Sequence, residues 1–412
     1  MGQSSSGQLR EPDRMCLGNF QPSGGDMGLA HESRVPAPVL VFRRCTLIIG
    51  VLMTLILTAC SRPPEIIGID NPALRPAVEA ESTRHRIFIT SSRAPSEEPG
   101  AFLSANRART LGLASVDVLV PPTHAIGQLK RPRRLPPDPR TEFMAVDPVT
   151  YAGDVAFVDA INRELASRAA DKRTILLFVH GFNNTPTDSL LRLGQFVEDT
   201  NFEGVPVLLS WASAARTIRY VHDLNSALIA RDMVPEIAEI LGQTKAHSVD
   251  VFAHSMGSLL TMEGLVERDR SGELGRRKNL NTIVLAAPDI DIDLFRAQLN
   301  RLSPEIRRSI FLLISERDAA LRVSARLAGG VPRVGAAPLR DLEEFGLTVI
   351  DLSDINDSSS WSHSAFAGSP DVVQLIGAGL NSAGRFGEDT SPLIDQILTV
   401  SPIRVLRQSP GG

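Results

Sequence analysis

The chain has 412 residues, 43% of them hydrophobic and 22% charged, which supplies enough apolar mass for a substantial core. A net charge of −4 with both signs interspersed leaves no basic block of the kind that points to a nucleic-acid partner. The three cysteines are Cys16, Cys45 and Cys60, so a disulfide framework and a Cys-based metal site are both excluded beyond residue 60.

Residues 1–40 are rich in Gly, Ser and Pro, lack periodicity, and read as disordered. Arg43-Arg44, the uncharged run 45–59 and then Cys60 have the order of a signal peptide, 41–60. So long a lead ahead of a signal peptide is unusual, and a translation start near Val39 or Val41 is expected. The run is short of the roughly 20 residues of a membrane span. Leu57-Thr58-Ala59-Cys60 resembles the lipobox of bacterial lipoproteins, which implies cleavage before Cys60 and lipid attachment to its sulfur. Residues 61–83 read as a tether.

The stretch 84–90 reads as a first strand and 115–120 as another. The basic, proline-rich segment 130–140 reads as an exposed rigid loop, with anionic lipid headgroups as its alternative contact. Val155, Val158, Ile161 and Leu165 share one face of a helix over 154–170. Short apolar runs then recur at 174–179, 205–211, 249–253, 282–287, 310–314 and 347–352. Helical segments separate them near 188–199, 224–241, 257–268, 293–301 and 318–328, and another lies at 371–380. Continuously apolar strands alternating with helices predict a parallel sheet covered on both faces. Residues 84–400 therefore read as one α/β domain, with 401–412 as a frayed tail.

In such sheets the chemistry lies at the carboxyl ends of the strands. Val249 to His254 ends abruptly in Ser255-Met256-Gly257, the strand–turn–helix pattern of a nucleophile elbow. Its residues two before and two after the serine must be small, and here they are Ala253 and Gly257. A serine needs an adjacent base, and His363 is the one histidine beyond Ser255. The acid is expected to be Asp318, after the run 310–314, with Asp289 the alternative and helix capping the competing role for Asp289, Asp291 and Asp293. Oxyanion donors are expected at the backbone N–H groups of Phe182, in His180-Gly181-Phe182, and Met256. Asn183, Trp211 and Tyr220 are weaker candidates for substrate contact, and His180 is expected to pack beneath its loop. Neither an HExxH pair nor a phosphate-binding loop occurs, so no metal or cofactor is expected.

The first-strand stretch Arg86-Ile87-Phe88-Ile89-Thr90, His180-Gly181-Phe182-Asn183, Ser210-Trp211-Ala212-Ser213, Ala253-His254-Ser255-Met256-Gly257 and Ala287-Pro288-Asp289 together resemble the α/β-hydrolase superfamily. More narrowly they resemble a bacterial family of esterase- or lipase-like members whose function is largely unassigned. The resemblance spans about residues 84–380. It implies a mostly parallel, eight-stranded sheet and a Ser-Asp-His triad, and it supplies no substrate. Residues 288–309 leave room for one helix, so no large lid is expected, which suits short-acyl esters or a large substrate presented from outside. The expectation is a carboxylic ester hydrolase, lipid-anchored and facing the periplasm, with an acyltransferase or a non-catalytic envelope scaffold as alternatives.

Overall fold

A computed structural model describes residues 62–272, 280–355, 363–381 and 401–406. Ten strands form one sheet: β1 (Thr83–Pro95), β2 (Leu103–Val120), β3 (Met144–Thr150), β4 (Ile175–Val179), β5 (Val205–Ser210), β6 (Val249–His254), β7 (Leu280–Ala286), β8 (Ile310–Ile314), β9 (Thr348–Asp351) and β10 (Arg404–Leu406). Their order is β10-β9-β8-β7-β6-β4-β5-β1-β2-β3. From β1 through β9 along that order every neighbour is parallel, and β2, β3 and β10 are antiparallel additions at the two edges.

The apolar runs work because each strand is buried on both faces. In β4, Ile175 and Val179 enter one core while Leu176 and Phe178 enter the other. Strands β6 and β8 repeat the alternation, with Phe252 and Phe311 on the second face. The first face is covered by helices α1 (Asp154–Ala166), α3 (Tyr220–Ala230), α4 (Val234–Gly242), α5 (Met256–Arg270) and α6 (Ile292–Leu299). The second is covered by α2 (Pro186–Asp199) and α8 (Pro370–Leu380), and α7 (Ala319–Leu327) comes after β8. Helix α2 starts where its sequence says it should. Thr185 and Asp188 cap each other's backbone N–H groups at 3.1 and 3.0 Å, and Pro186 occupies the first turn.

Four expectations change. Among the described residues the sheet has ten strands, where the resemblance implied eight. The stretch 61–83, expected as a tether, is packed over its described part: Ile66 and Ile67 are buried and Ile67 bridges to Ala145. The tail expected to fray from 401 instead buries Ile403 and pairs Arg404–Leu406 with β9. The helix expected over 224–241 is two, because Pro235 has no N–H to continue the first and sits instead in the opening turn of α4. The segment 1–61, including the signal-like run and Cys60, lies outside the described residues. Residues 63–412 form a compact unit by themselves.

Candidate active site

Strands β4, β6, β8 and β9 run parallel, so the residues beyond them emerge at one end of the sheet. These are His180-Gly181-Phe182, Ser255, Asp318 and, past residues outside the described set, His363.

Ser255 stands between β6 and α5 with φ 54° and ψ −123°, a backbone conformation that costs an L-residue roughly 1–3 kcal/mol. The surroundings hold it there. Its N–H donates to Ala286 O at 2.9 Å, and its carbonyl accepts from Ser258 N at 2.9 Å and Asp289 N at 3.2 Å. Gly257 has to be glycine, since a Cβ there would lie 2.5 Å from His180 O and 2.6 Å from Val179 O. Ala253, two residues before the serine, is fully buried, and its methyl is accommodated.

Asp318 is wholly buried and caps α7, its Oδ1 accepting from Leu321 N at 2.9 Å. Its Oδ2 lies 2.7 Å from Nδ1 of His363. A neutral imidazole facing that carboxylate carries its proton on Nδ1, which leaves the Nε2 lone pair free. His363 is tied to the elbow through His254. The two rings lie 4.8 Å apart, and His254 Nε2–H donates to His363 O at 3.0 Å. Burial, then the proximity of His363, holds the His254 pKa well below its ordinary value, so His254 is a neutral donor. Phe366, three residues on, packs against both His254 and Phe252, at 4.7 and 5.2 Å.

Asp289 has different partners. It accepts from Tyr220 Oη at 3.0 Å and Ser324 Oγ at 2.5 Å and faces Arg333 at 3.3 Å. That buried network engages Asp289 away from His363. It also claims Tyr220, whose hydroxyl pKa is pushed up to about 12, first by burial and then by Asp289. Trp211 is likewise fully buried: its ring stacks on His180 at 5.0 Å and its Nε1–H donates to His180 O at 2.7 Å. Both aromatics, weaker candidates for substrate contact on sequence, serve as packing in this arrangement.

His180 Nδ1–H donates to Gly181 O at 2.9 Å, and its Nε2 accepts from Trp211 N at 3.1 Å. Burial and then Arg93 lower its pKa to about 3, so the ring is a neutral strut beneath the loop. Gly181 presses on the elbow: a Cβ there would meet Ser255 Cβ at 2.9 Å. Phe182 is next in the chain, and Asn184 Nδ2 donates to the carbonyls of Gly181 at 3.1 Å and Phe182 at 2.9 Å. Asn183 adopts φ 62° in the same turn. Met256 opens α5, where the first N–H groups lack intrahelical acceptors.

Two contributors escaped the sequence reading. His254 is one, visible only as a motif letter beside the serine. Arg93 is the other, at the end of β1 beyond the stretch read as a strand. It is buried, and donates to Ser210 Oγ at 3.0 Å, Ser213 O at 2.9 Å and Asn184 O at 3.0 Å. One guanidinium thus joins the exits of β1 and β5 to the loop carrying Phe182. No apolar periodicity or motif marks it.

Residues 155–379 match the family described as alpha/beta hydrolase of unknown function (DUF900). Among solved structures, a predicted CIB-like hydrolase from Thermoplasma acidophilum is similar at 14% identity and a TM-score of 0.30, covering 52% of this chain and 87% of that one. An esterase from Pyrobaculum calidifontis is similar at 12% identity and 0.31, covering 52% and 78%. The carboxylesterase EstE1, cloned from a metagenomic library, is similar at 12% and 0.32, covering 80% and 92%. No curated protein matches.

Proposed function

This chain belongs to that family of alpha/beta hydrolases, and on that premise we propose that it is a serine hydrolase of carboxylic esters, working through an acyl-enzyme and anchored to the bacterial envelope by lipid on Cys60. The observation that carries the catalytic reading is the 2.7 Å pair of His363 Nδ1 and Asp318, formed beside the strained Ser255 elbow.

In this reading His363 Nε2 takes the Ser255 hydroxyl proton as Oγ bonds the acyl carbon. The oxyanion that forms accepts hydrogen bonds from the Phe182 and Met256 N–H groups. Collapse breaks the bond to the alkoxy group, which leaves as the alcohol with the proton returned from His363. Water then repeats the sequence. It loses a proton to His363, attacks the acyl carbon and releases the acid, and Ser255 Oγ recovers its proton. Asp318 orients the imidazole and balances its transient positive charge.

A fluorophosphonate probe tests this directly. Wild-type protein should be labelled and Ser255→Ala should not; equal labelling of both removes Ser255 from the role. Turnover across esters of increasing acyl length then defines the substrate class. Metabolic labelling with a fatty-acid analogue, compared with Cys60→Ala, tests the anchor.

A further inference from the structure

The segment 130–142 holds five cationic side chains and two carboxylates. Arg131 is committed inward, to Asp188 at 2.7 Å and to Glu65 at 3.2 Å, and its Nη1 donates to Pro64 O at 3.0 Å. Arg140 is held by Asp138 at 2.7 Å, and Glu142 accepts from the Asp138 N–H at 2.9 Å. Lys130, Arg133 and Arg134 are exposed, and among the described residues they have no carboxylate within ion-pair distance. Leu135 beside them is 49% exposed. Unpaired cations flanking an exposed apolar side chain match an anionic lipid surface, where the charges meet headgroups and the apolar group enters the interface.

The place of Pro63 identifies the partner. It lines the same open hollow, about 800 Å³, as Lys130, Arg131, Arg133 and Arg134. Cys60 lies three positions before it in the chain, a reach of at most roughly 10 Å. The segment 63–66 is pinned in place: Glu65 Oε2 accepts from Thr187 N at 3.1 Å, and Ile66 N donates to Thr187 Oγ1 at 3.2 Å. Thr187 is three residues past Asn184, whose side chain shapes the Phe182 turn. The described chain therefore begins beside the basic loop, on the side of the molecule where α2 begins at the active-site end of the sheet.

We propose that Lys130, Arg133, Arg134 and Leu135 form a docking surface for an anionic lipid bilayer, the same membrane that holds the Cys60 anchor, so that the tether and the loop together fix the orientation of the active-site rim. The identity of the membrane rests on the proposed Cys60 anchor; the lipid affinity of the surface does not.

The unit beginning at Pro63, which lacks the anchor, is mixed with vesicles of phosphatidylcholine alone or phosphatidylcholine containing phosphatidylglycerol, and bound protein is sedimented. It should bind the anionic vesicles, with weaker binding as salt rises, and leave the neutral ones. Replacing Lys130, Arg133 and Arg134 together by Glu should reduce anionic binding on the order of a hundredfold or more, at about one kcal/mol for each cation removed. Leu135→Ser, which removes the apolar group without adding charge, should weaken it with no change in salt dependence. A thermal melt checks that each variant folds, and the salt titration of the parent reads the charge contribution without any variant. Absence of binding by the parent, or equal binding to neutral vesicles, overturns the proposal. Because acylation is read separately on Cys60→Ala, a failed anchor with intact vesicle binding, and the reverse, are distinguishable.

Discussion

At the scale of single residues, the site depends on groups that each satisfy two demands. Asp318 caps α7 with one oxygen and faces His363 with the other. Asn is also a good N-cap, so Asp318→Asn separates the two roles. It should melt within about 1 kcal/mol of wild type while ester turnover falls on the order of 10⁴-fold. A comparable loss of fold and activity would make the residue structural only. Gly257 is a packing requirement of another kind. In Gly257→Ala the new methyl would press on two backbone carbonyl oxygens, neither of which is the end of a flexible side chain. Denaturant titration should show a loss of roughly 3 kcal/mol or more, or no folded protein. The histidine and serine are legible in the sequence because an elbow is a local pattern and His363 has no competitor beyond it. The carboxylate that faces His363 is not legible to the same degree. Asp289 and Asp318 both lie just past apolar runs, and only their three-dimensional partners separate them: Tyr220, Ser324 and Arg333 for one, His363 for the other.

At the scale of elements, continuous apolar runs mark the central strands because both faces of the sheet are covered, whereas edge elements lack that signature. The outer part of β2, residues 104–110, is largely exposed and polar, and β10 is three residues long, so neither carries a periodic apolar pattern. Strand β6 also has an irregular join to β7 between Val249 and Val251, and Asp250 between them is buried, at the end of the strand away from Ser255. Burial raises the Asp250 pKa to about 6, against hydrogen bonds from Asn281 and Thr282 that pull it down. A carboxyl raised on folding binds its proton more tightly in the native state. Its stabilising contribution is therefore whole below the unfolded value of 3.8 and is lost as pH climbs through about 6. Asp250→Asn, which cannot ionise, should gain stability over wild type at pH 8, by roughly 1–3 kcal/mol, and show no gain at about pH 3.5. Urea melts at the two pH values check it; a gain of equal size at both would remove ionisation as the cause.

At the scale of the whole molecule, Arg93 shows what a linear reading cannot supply. Its charge is buried and its direct partners are neutral oxygens, and burial lowers its pKa to about 10 against attraction from Glu65, Asp223 and Asp188. Those partners come from positions 104, 184, 210 and 213, brought together by the adjacency of β1 with β2 and β5 and of β5 with β4. The N-terminal segment 63–67 obeys the same logic, since its few apolar residues look like a tether until α2 and β3 close over them.

By itself the amino-acid sequence determined the alternation of strands and helices, the elbow at Ser255 and the lone downstream histidine, because each depends on periodicity, turn chemistry or simple count within a short window. Only the tertiary structure decided which carboxylate meets His363, that Trp211 and Tyr220 are spent on packing, and that Arg93 and His254 brace the site. Those are contacts across tens to hundreds of residues, and their energies depend on which strands neighbour one another in the sheet.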